Sequence, residues 1–245
     1  MNTFRAVAHR GYPVRYPENT LSSFEAALQL NYAYLELDVQ LSKDGVPVVI
    51  HDYTVDRVTD GTGAVKDFTL QELKRLKVHG KEEIPTLREA LELAKGRAIV
   101  SVELKQAGDL YPGLEEKTLR VIEELGMREH VYLLSFDHYS ITRVRELDWH
   151  IPAGITISAA SPFLFEAIKA WNLQYFAAPT RYITPAFVQR AEEAGVQLIV
   201  WPADTLAEME KLRAYPSLLA TTNELEKWQH YCAEHGMNQA TMISG

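Results

Sequence analysis

Short β-type runs and amphipathic helical stretches alternate along the whole chain, and this alternation constrains the fold more than any other feature. The strand-like runs cover residues 4–9, 33–39, 98–105, 131–135, 153–157, 175–178, 197–201 and 218–221. Helical patterns cover 21–30, 87–95, 114–125, 139–147, 163–170, 185–194, 206–213 and 224–234. Strands separated by helices of this length pair in parallel through right-handed crossovers. Eight such pairs in 245 residues predict an α/β fold of the (β/α)₈ TIM-barrel type. The rival, a doubly wound open sheet, normally carries a Gly-rich turn after its first strand, where Gly11 stands alone here.

Local signals support the boundaries. Thr184 precedes Pro185, an N-cap followed by proline at the first helical position. Gly96, Gly126 and Gly195 stand just past helix ends, where a left-handed cap is wanted. The one irregularity lies between Val39 and Leu87: an extra strand at 46–50, a Gly-rich turn and a short helix at 70–76. It reads as an insertion of about residues 40–86 after the second strand, within a single domain of residues 1–245. The polar tail beyond about His235 is expected to be poorly ordered.

Composition narrows the partners. Net charge is −8 and no basic run stands out, which excludes nucleic acid and an anionic membrane surface as expected partners. No apolar stretch is long enough to span a bilayer. A lone cysteine, Cys232, leaves no intrachain disulfide, and the first residues lack a signal-peptide pattern, so the expected location is cytoplasmic. The oligomeric state is not readable from the sequence. An acidic chain that handled an anionic ligand would need local cations.

Catalytic groups of a parallel barrel come from the C-terminal ends of its strands. Here those ends read His9-Arg10-Gly11, Glu36-Leu37-Asp38-Val39 and Glu103-Leu104-Lys105, and the inserted strand ends in His51-Asp52. Side chains alternate faces along a strand, so Glu36 shares a face with Asp38, and Glu103 with Lys105. If the leucines and valines pack outward, three carboxylates and a lysine converge on the barrel mouth. Such carboxylates repel unless they are protonated, paired or metal-bound, and all-oxygen ligands suit Mg²⁺ or Ca²⁺. Each piece has a plainer reading alone: solvated acids on a half-exposed strand, structural histidines, or Thr20 merely capping the first helix. Their joint occurrence at successive strand ends is harder to explain that way.

Taken together, these blocks resemble the glycerophosphodiester phosphodiesterase family, in its short bacterial cytoplasmic form. The resemblance rests on His9-Arg10-Gly11, Pro17-Glu18-Asn19-Thr20 and Glu36-Leu37-Asp38-Val39-Gln40. It continues through Lys43-Asp44-Gly45, Pro47-Val48-Val49, His51-Asp52, Arg57, Gly61-Thr62-Gly63, Ile84-Pro85-Thr86-Leu87 and Glu103-Leu104-Lys105. The second half matches more loosely, through Ser135-Phe136 and Trp201. It departs at Pro202-Ala203-Asp204, where the family commonly has an Asn or similar residue after the tryptophan, and at Thr221-Thr222-Asn223, where Thr-Asp is usual.

The resemblance implies metal-dependent hydrolysis of a small-molecule glycerophosphodiester to glycerol 3-phosphate and an alcohol. Glu36, Asp38 and Glu103 would hold one divalent ion, Mg²⁺ or Ca²⁺, with Mn²⁺ a further option. Arg10 and Lys105 would meet the phosphate, and His9 and His51 would form the acid–base pair, imidazole being the side chain that titrates near neutrality. Phe136, Trp201 and Tyr12 could wall the glycerol pocket. Glu18, Asn19 and Asp52 are supporting candidates. Asp52 is expected to point away from the His51 ring, as neighbours on an extended chain do. The sequence does not say which histidine is the base, nor whether the glycerol hydroxyl or water attacks. Three alternatives stand beside this: a phospholipase-D-toxin-like lyase acting on lysophospholipids, histidine ligation of Zn²⁺ or Mn²⁺, and a non-catalytic barrel that binds a phosphodiester.

Overall fold

The computed structural model describes residues 4–161 and 163–237. In chain order the elements are β1 (Phe4–Ala8), α1 (Leu21–Gln29), β2 (Tyr32–Leu41), β3 (Pro47–Val49), α2 (Leu70–Leu73), α3 (Leu87–Ala94), β4 (Ile99–Leu104), α4 (Leu114–Glu124) and β5 (Val131–Leu134). They continue with α5 (His138–Leu147), β6 (Gly154–Thr156), α6 (Leu164–Ala170), β7 (Tyr175–Pro179), α7 (Pro185–Glu193), β8 (Gln197–Trp201), α8 (Leu206–Arg213), β9 (Leu219–Thr222) and α9 (Leu225–Glu234). The predicted elements are all present, with ends displaced by a residue or two, except that the short helix expected at 70–76 stops at Leu73.

Eight strands pair in parallel in the order β5-β4-β2-β1-β9-β8-β7-β6. The two ends of this path meet through a parallel bridge between Leu133 and Ala153. Two further bonds tie the seam: Leu133 N–H donates to the Pro152 carbonyl at 3.0 Å, and Thr156 N–H to that of Ser135 at 2.9 Å. The result is the (β/α)₈ barrel that the alternation predicts. Strand β3 lies off the ring, antiparallel to β2, with Val39 opposite Val49 and Gln40 opposite Val48.

The two faces of each strand have different jobs. Leu35, Leu37 and Val39 of β2 join Val100, Val102 and Leu104 of β4 in the core beneath the helices. A separate cluster of Val7, Tyr132, Leu134, Ala177, Ile199 and Leu219 fills the barrel interior, with Tyr132 stacked on Tyr175 at 4.0 Å between ring centroids. Burying a Val, Leu or Ile side chain stabilises by roughly 1.5–3 kcal/mol. The outer layer holds most such residues, so the mouth of the barrel can be polar without unravelling the fold.

Helix starts carry the chemistry expected of them. Thr20, Thr86, Thr184 and Thr205 each accept a hydrogen bond from a backbone N–H one turn in, and Thr86 and Thr205 complete capping boxes with Glu89 and Glu208. Each cap is worth about 1 kcal/mol. Gly96, Gly126 and Gly195 all have positive φ. The segment between β2 and α3 is built on its own apolar cluster, Val48, Ile50, Val55, Val58, Val65, Leu73, Val78 and Ile84. From residue 238 on, the polar tail lies outside the described residues. Among the described residues no helix is long and apolar enough to cross a membrane.

Candidate active site

The turn after β1 delivers the first groups. Arg10 and Gly11 are both left-handed, with φ of 56° and 83°. A Cβ on Gly11 would lie 2.4 Å from Ser23 Oγ and 2.6 Å from the Ser23 carbonyl carbon, so only glycine fits against α1. The turn aims Arg10 N–H at Glu36 Oε2, 3.0 Å away. Ser23 fastens it from outside, its Oγ donating to the Arg10 carbonyl at 3.0 Å and accepting from Tyr12 N–H at 2.7 Å. Further along the same loop, buried Asn19 donates from Nδ2 to Asp38 Oδ2 at 2.8 Å.

Strands β2 and β4 lie in register with Asp38 beside Glu103. Carboxylate oxygens of Glu36, Asp38 and Glu103 come within 4.8 Å of one another, a group that could hold a metal ion. Burial, followed by repulsion from Asp38 and Glu103, pushes the Glu36 carboxyl well above the usual range. Burial and Asp38 raise Glu103 as well, against the pull of Lys105. Asp38 behaves oppositely: burial would raise it, but Lys105 and then Arg10 hold it below its ordinary value. Lys105 Nζ lies 2.8 Å from Glu103 Oε1 and 3.6 Å from Asp38 Oδ1. Arg10 Nε is 3.4 Å from Asp38 Oδ2, outside hydrogen-bonding geometry, and is a buried donor with no acceptor among the described residues. Three inward carboxylates with two cations leave an excess of negative charge, and an all-oxygen donor group of this size fits a hard divalent cation.

The two histidines have different partners. His9 Nδ1 lies 2.8 Å from Asn223 Oδ1, just past β9. The Asn223 amide is held in turn by Asp204, whose Oδ2 accepts from Asn223 Nδ2 at 2.7 Å and whose Oδ1 accepts from Asn223 N–H at 2.8 Å. With the amide nitrogen committed to a carboxylate, its oxygen faces the ring, and the ring must donate from Nδ1. The lone pair of neutral His9 is therefore on Nε2, 3.9 Å from Glu36 Oε2. Burial among protein atoms, then the Arg10 charge, lowers the His9 pKa below the ordinary histidine value, although 30% of the side-chain surface remains accessible.

His51 is paired with a carboxylate instead, its Nδ1 standing 2.7 Å from Asp52 Oδ1. Arg57 fastens that carboxylate through Nε at 2.5 Å, and hydrogen bonding to Arg57 carries the Asp52 pKa down to about 2. The same guanidinium reaches Glu18 Oε1 at 2.7 Å, and Glu18 accepts from Arg10 Nη1 at 3.0 Å. A continuous ionic chain thus runs from the His51 loop to the His9 turn. His51 is close enough for its charge to act on both Asp38 and Glu103.

Two expectations need correction. Asp52 does not point away from His51. The strand ends at Val49 and residues 51–53 bend, so the two-residue alternation no longer applies where the pair meets. Tyr12 does not wall the mouth: it is 5% exposed within the helix-facing core, because the Gly11 turn folds it back toward α1. Phe136 and Trp201 do meet, edge to face at 5.8 Å between ring centroids, and Trp201 Nε1 is another buried donor without an acceptor among the described residues. In the sequence Asn223 and Asp204 stand only as departures from the family pattern and Arg57 only within a matching block, none with a role in the site. Parity along β9 places Asn223 on the face of Leu219 and Thr221, and closure of the ring sets it beside β1.

Comparison with known proteins agrees with this geometry. Residues 9–226 match the model of the glycerophosphoryl diester phosphodiesterase family. A glycerophosphodiester phosphodiesterase of Caldanaerobacter subterraneus subsp. tengcongensis is 39% identical over 220 residues, 84% of this chain and 88% of that one. One of Bacillus altitudinis is 41% identical over 157 residues, 60% of this chain and 64% of that one. The solved structure of an Oleispira antarctica phosphodiesterase, in complex with the product sn-glycerol-3-phosphate, superposes with a TM-score of 0.83 at 26% identity, covering 93% of this chain and 96% of that one. With its barrel, its strand-end residues and this match over most of its length, the chain is an enzyme that belongs to the glycerophosphoryl diester phosphodiesterase family.

Proposed function

We propose that this enzyme hydrolyses small glycerophosphodiesters to glycerol 3-phosphate and an alcohol, using one divalent ion, Mg²⁺ or Ca²⁺ with Mn²⁺ as a third option, held by Glu36, Asp38 and Glu103. The observation that carries the reading is the pair of unlike histidines beside that carboxylate group: His9 against a neutral amide, His51 against an ionised carboxylate. The sn-glycerol-3-phosphate held by the Oleispira relative supports the product.

Bound at the carboxylates, a divalent cation would supply Lewis-acid polarisation of a phosphate oxygen and a template for the glycerol hydroxyls. The chain's own groups do the rest. Arg10 and Lys105 offset the phosphate charge, and the Nε of Arg10, without an acceptor among the described residues, gives it a donor. Phe136 and Trp201 form an apolar wall for the carbon skeleton. Asn19 orients Asp38, and Glu18 keeps Arg10 and Arg57 in line. His9 takes a proton at Nε2 from the attacking hydroxyl as the new P–O bond forms. His51 gives a proton to the alkoxide as the old P–O bond breaks. A glycerol hydroxyl and a water can both be served by these two groups. If glycerol attacks, a cyclic phosphate forms first and the histidines exchange roles as water opens it.

The same proposal takes the chain as one catalytic unit in which the segment of about residues 40–86 is an insertion carrying His51. It also places the enzyme in the cytoplasm, where a lone buried thiol such as Cys232 suits the reducing conditions. The test is release of glycerol 3-phosphate from glycerophosphocholine and glycerophosphoethanolamine by metal-stripped protein resupplied with Mg²⁺, Ca²⁺ or Mn²⁺. Release that requires one of these ions is the expected result. Turnover of lysophospholipids alone, or no turnover with any ion, would overturn the reading.

A further inference from the structure

Alternate side chains of strand β2 share the inward face: Glu36, Asp38 and Gln40. The first two belong to the carboxylate group. Gln40 is fully buried, and its amide does something else. Its Nε2 lies 2.9, 3.0 and 2.7 Å from the carbonyl oxygens of Ile50, His51 and Asp52. Three converging carbonyls can only be met by a donor, so the orientation of the amide is not in doubt. Its oxygen faces the other way and accepts from the Tyr111 hydroxyl. Tyr111 is buried in the loop after β4, and its main chain is gripped at both ends by the Gln106 side chain. Gln106 Oε1 accepts from Tyr111 N–H at 2.9 Å, and Gln106 Nε2 donates to the Tyr111 carbonyl at 2.9 Å.

The stretch so held is the one that carries the second histidine and its carboxylate, where the regular ladder of β3 has already ended. Among the described residues, Ile50 N–H, which donates to the Asp38 carbonyl at 3.0 Å, and the Gln40 amide tie this bend to the barrel strand. We propose that Gln40, oriented by Tyr111, is a positioning residue that sets the His51–Asp52 pair at the correct height over the carboxylates. The inference rests on the reading of His51 as a catalytic group. It makes the loop after β4 a determinant of turnover through the relay Gln106–Tyr111–Gln40, without contact between those residues and substrate.

The test is a double-mutant cycle on glycerophosphodiester hydrolysis with kcat and KM read separately. Gln40→Met keeps the volume and removes the two N–H groups shared among the three carbonyls. It should lower kcat by about tenfold to a hundredfold, as a misplaced catalytic group does, with KM changed little. In a His51→Ala background the same substitution should alter kcat by less than about twofold, because what it positions is gone. Tyr111→Phe should give a smaller kcat loss with the same dependence on His51, and serves if circular dichroism finds Gln40→Met unfolded. An equal loss in both backgrounds, or an unchanged kcat in both Gln40→Met and Tyr111→Phe, would overturn the inference. Near-normal kcat in His51→Ala would remove the catalytic reading beneath it, and the inference with it.

Discussion

His9 donates from Nδ1 to the Asn223 side-chain oxygen, 2.8 Å away across the seam where β9 meets β1. The contact joins residues 214 positions apart in the chain. Its direction is set by Asp204, which occupies the amide nitrogen, so the ring's free lone pair points from Nε2. Asn223 thus fixes the tautomer of the neutral ring, while burial and the Arg10 charge favour that neutral form. An aspartate opposite Nδ1 would instead favour the imidazolium.

Removing the acceptor should therefore hurt turnover without harming substrate binding. Asn223→Ala is expected to lower kcat by about tenfold, less than the roughly 10²–10⁴-fold expected for loss of the base itself in His9→Ala. Steady-state kinetics on glycerophosphocholine would check this, and an unchanged kcat would remove Asn223 from the account of His9.

The two histidines should also separate by leaving group. If His51 protonates the departing alkoxide, His51→Ala should cost far more on a choline or glycerol ester than on an activated aryl ester, whose phenolate leaves unaided. His9→Ala should cost about 10²–10⁴-fold on both, since each needs its nucleophile deprotonated. Comparable losses for His51→Ala on the two substrates would count against its role as the acid.

Much of this was legible before any coordinates. The period-2 pattern of Leu35, Leu37 and Val39 against Glu36 and Asp38 sufficed to put the acids inside, because a parallel strand is covered on both faces. Glu103 and Lys105 followed by the same parity, and His9 by its place at the end of the first strand. That logic has a range, and it failed where strands stop. His51–Asp52 pair through a bend that alternation does not describe. Asn223 and Asp204 come from adjacent strand ends, 19 residues apart in the chain, and a single sequence says nothing about which loops face each other. Tyr12 looked like a pocket aromatic by its closeness to His9, yet the left-handed pair at Arg10 and Gly11 reverses the chain between them.

Metal loading should invert the effect of neutralising the carboxylates. Without metal, Glu36→Gln or Glu103→Gln relieves repulsion between buried acids and is expected to leave Tm unchanged or raise it. With Mg²⁺ or Ca²⁺ present, wild type should gain stability by linkage, about 2.7 kcal/mol when the ion is at a hundred times its Kd, while the variants gain less. Thermal melts across a metal titration would reveal the crossing. Parallel curves for wild type and both variants would mean that the ion binds elsewhere.

The Asp52–Arg57 contact predicts a pH signature in stability. Asp52 has its pKa depressed from 3.8 to about 2, chiefly by Arg57. A carboxylate depressed on folding binds its proton more readily in the unfolded chain, so its contribution is full above the unfolded value and fades as pH falls toward the folded one. Asp52→Asn should thus be less stable than wild type at pH 7, and the gap should close between 3.8 and about 2. Urea midpoints measured down this range would show it. A gap that persisted at the acid end would mean that the side chain acts by packing, not by charge.

Strand β1 is flanked on the barrel wall by β2 on one side and β9 on the other. A ribosome makes the acidic residues, both histidines and both cations within the first 105 positions, yet the support for His9 emerges more than a hundred residues later. Until β9 docks, the nascent chain carries both histidines and the carboxylate group with one edge of its first strand unpaired and the His9 ring without its Asn223 partner. The placement of His9 is therefore a report on ring closure: the strand that seals the far side of β1 fixes the imidazole at its end.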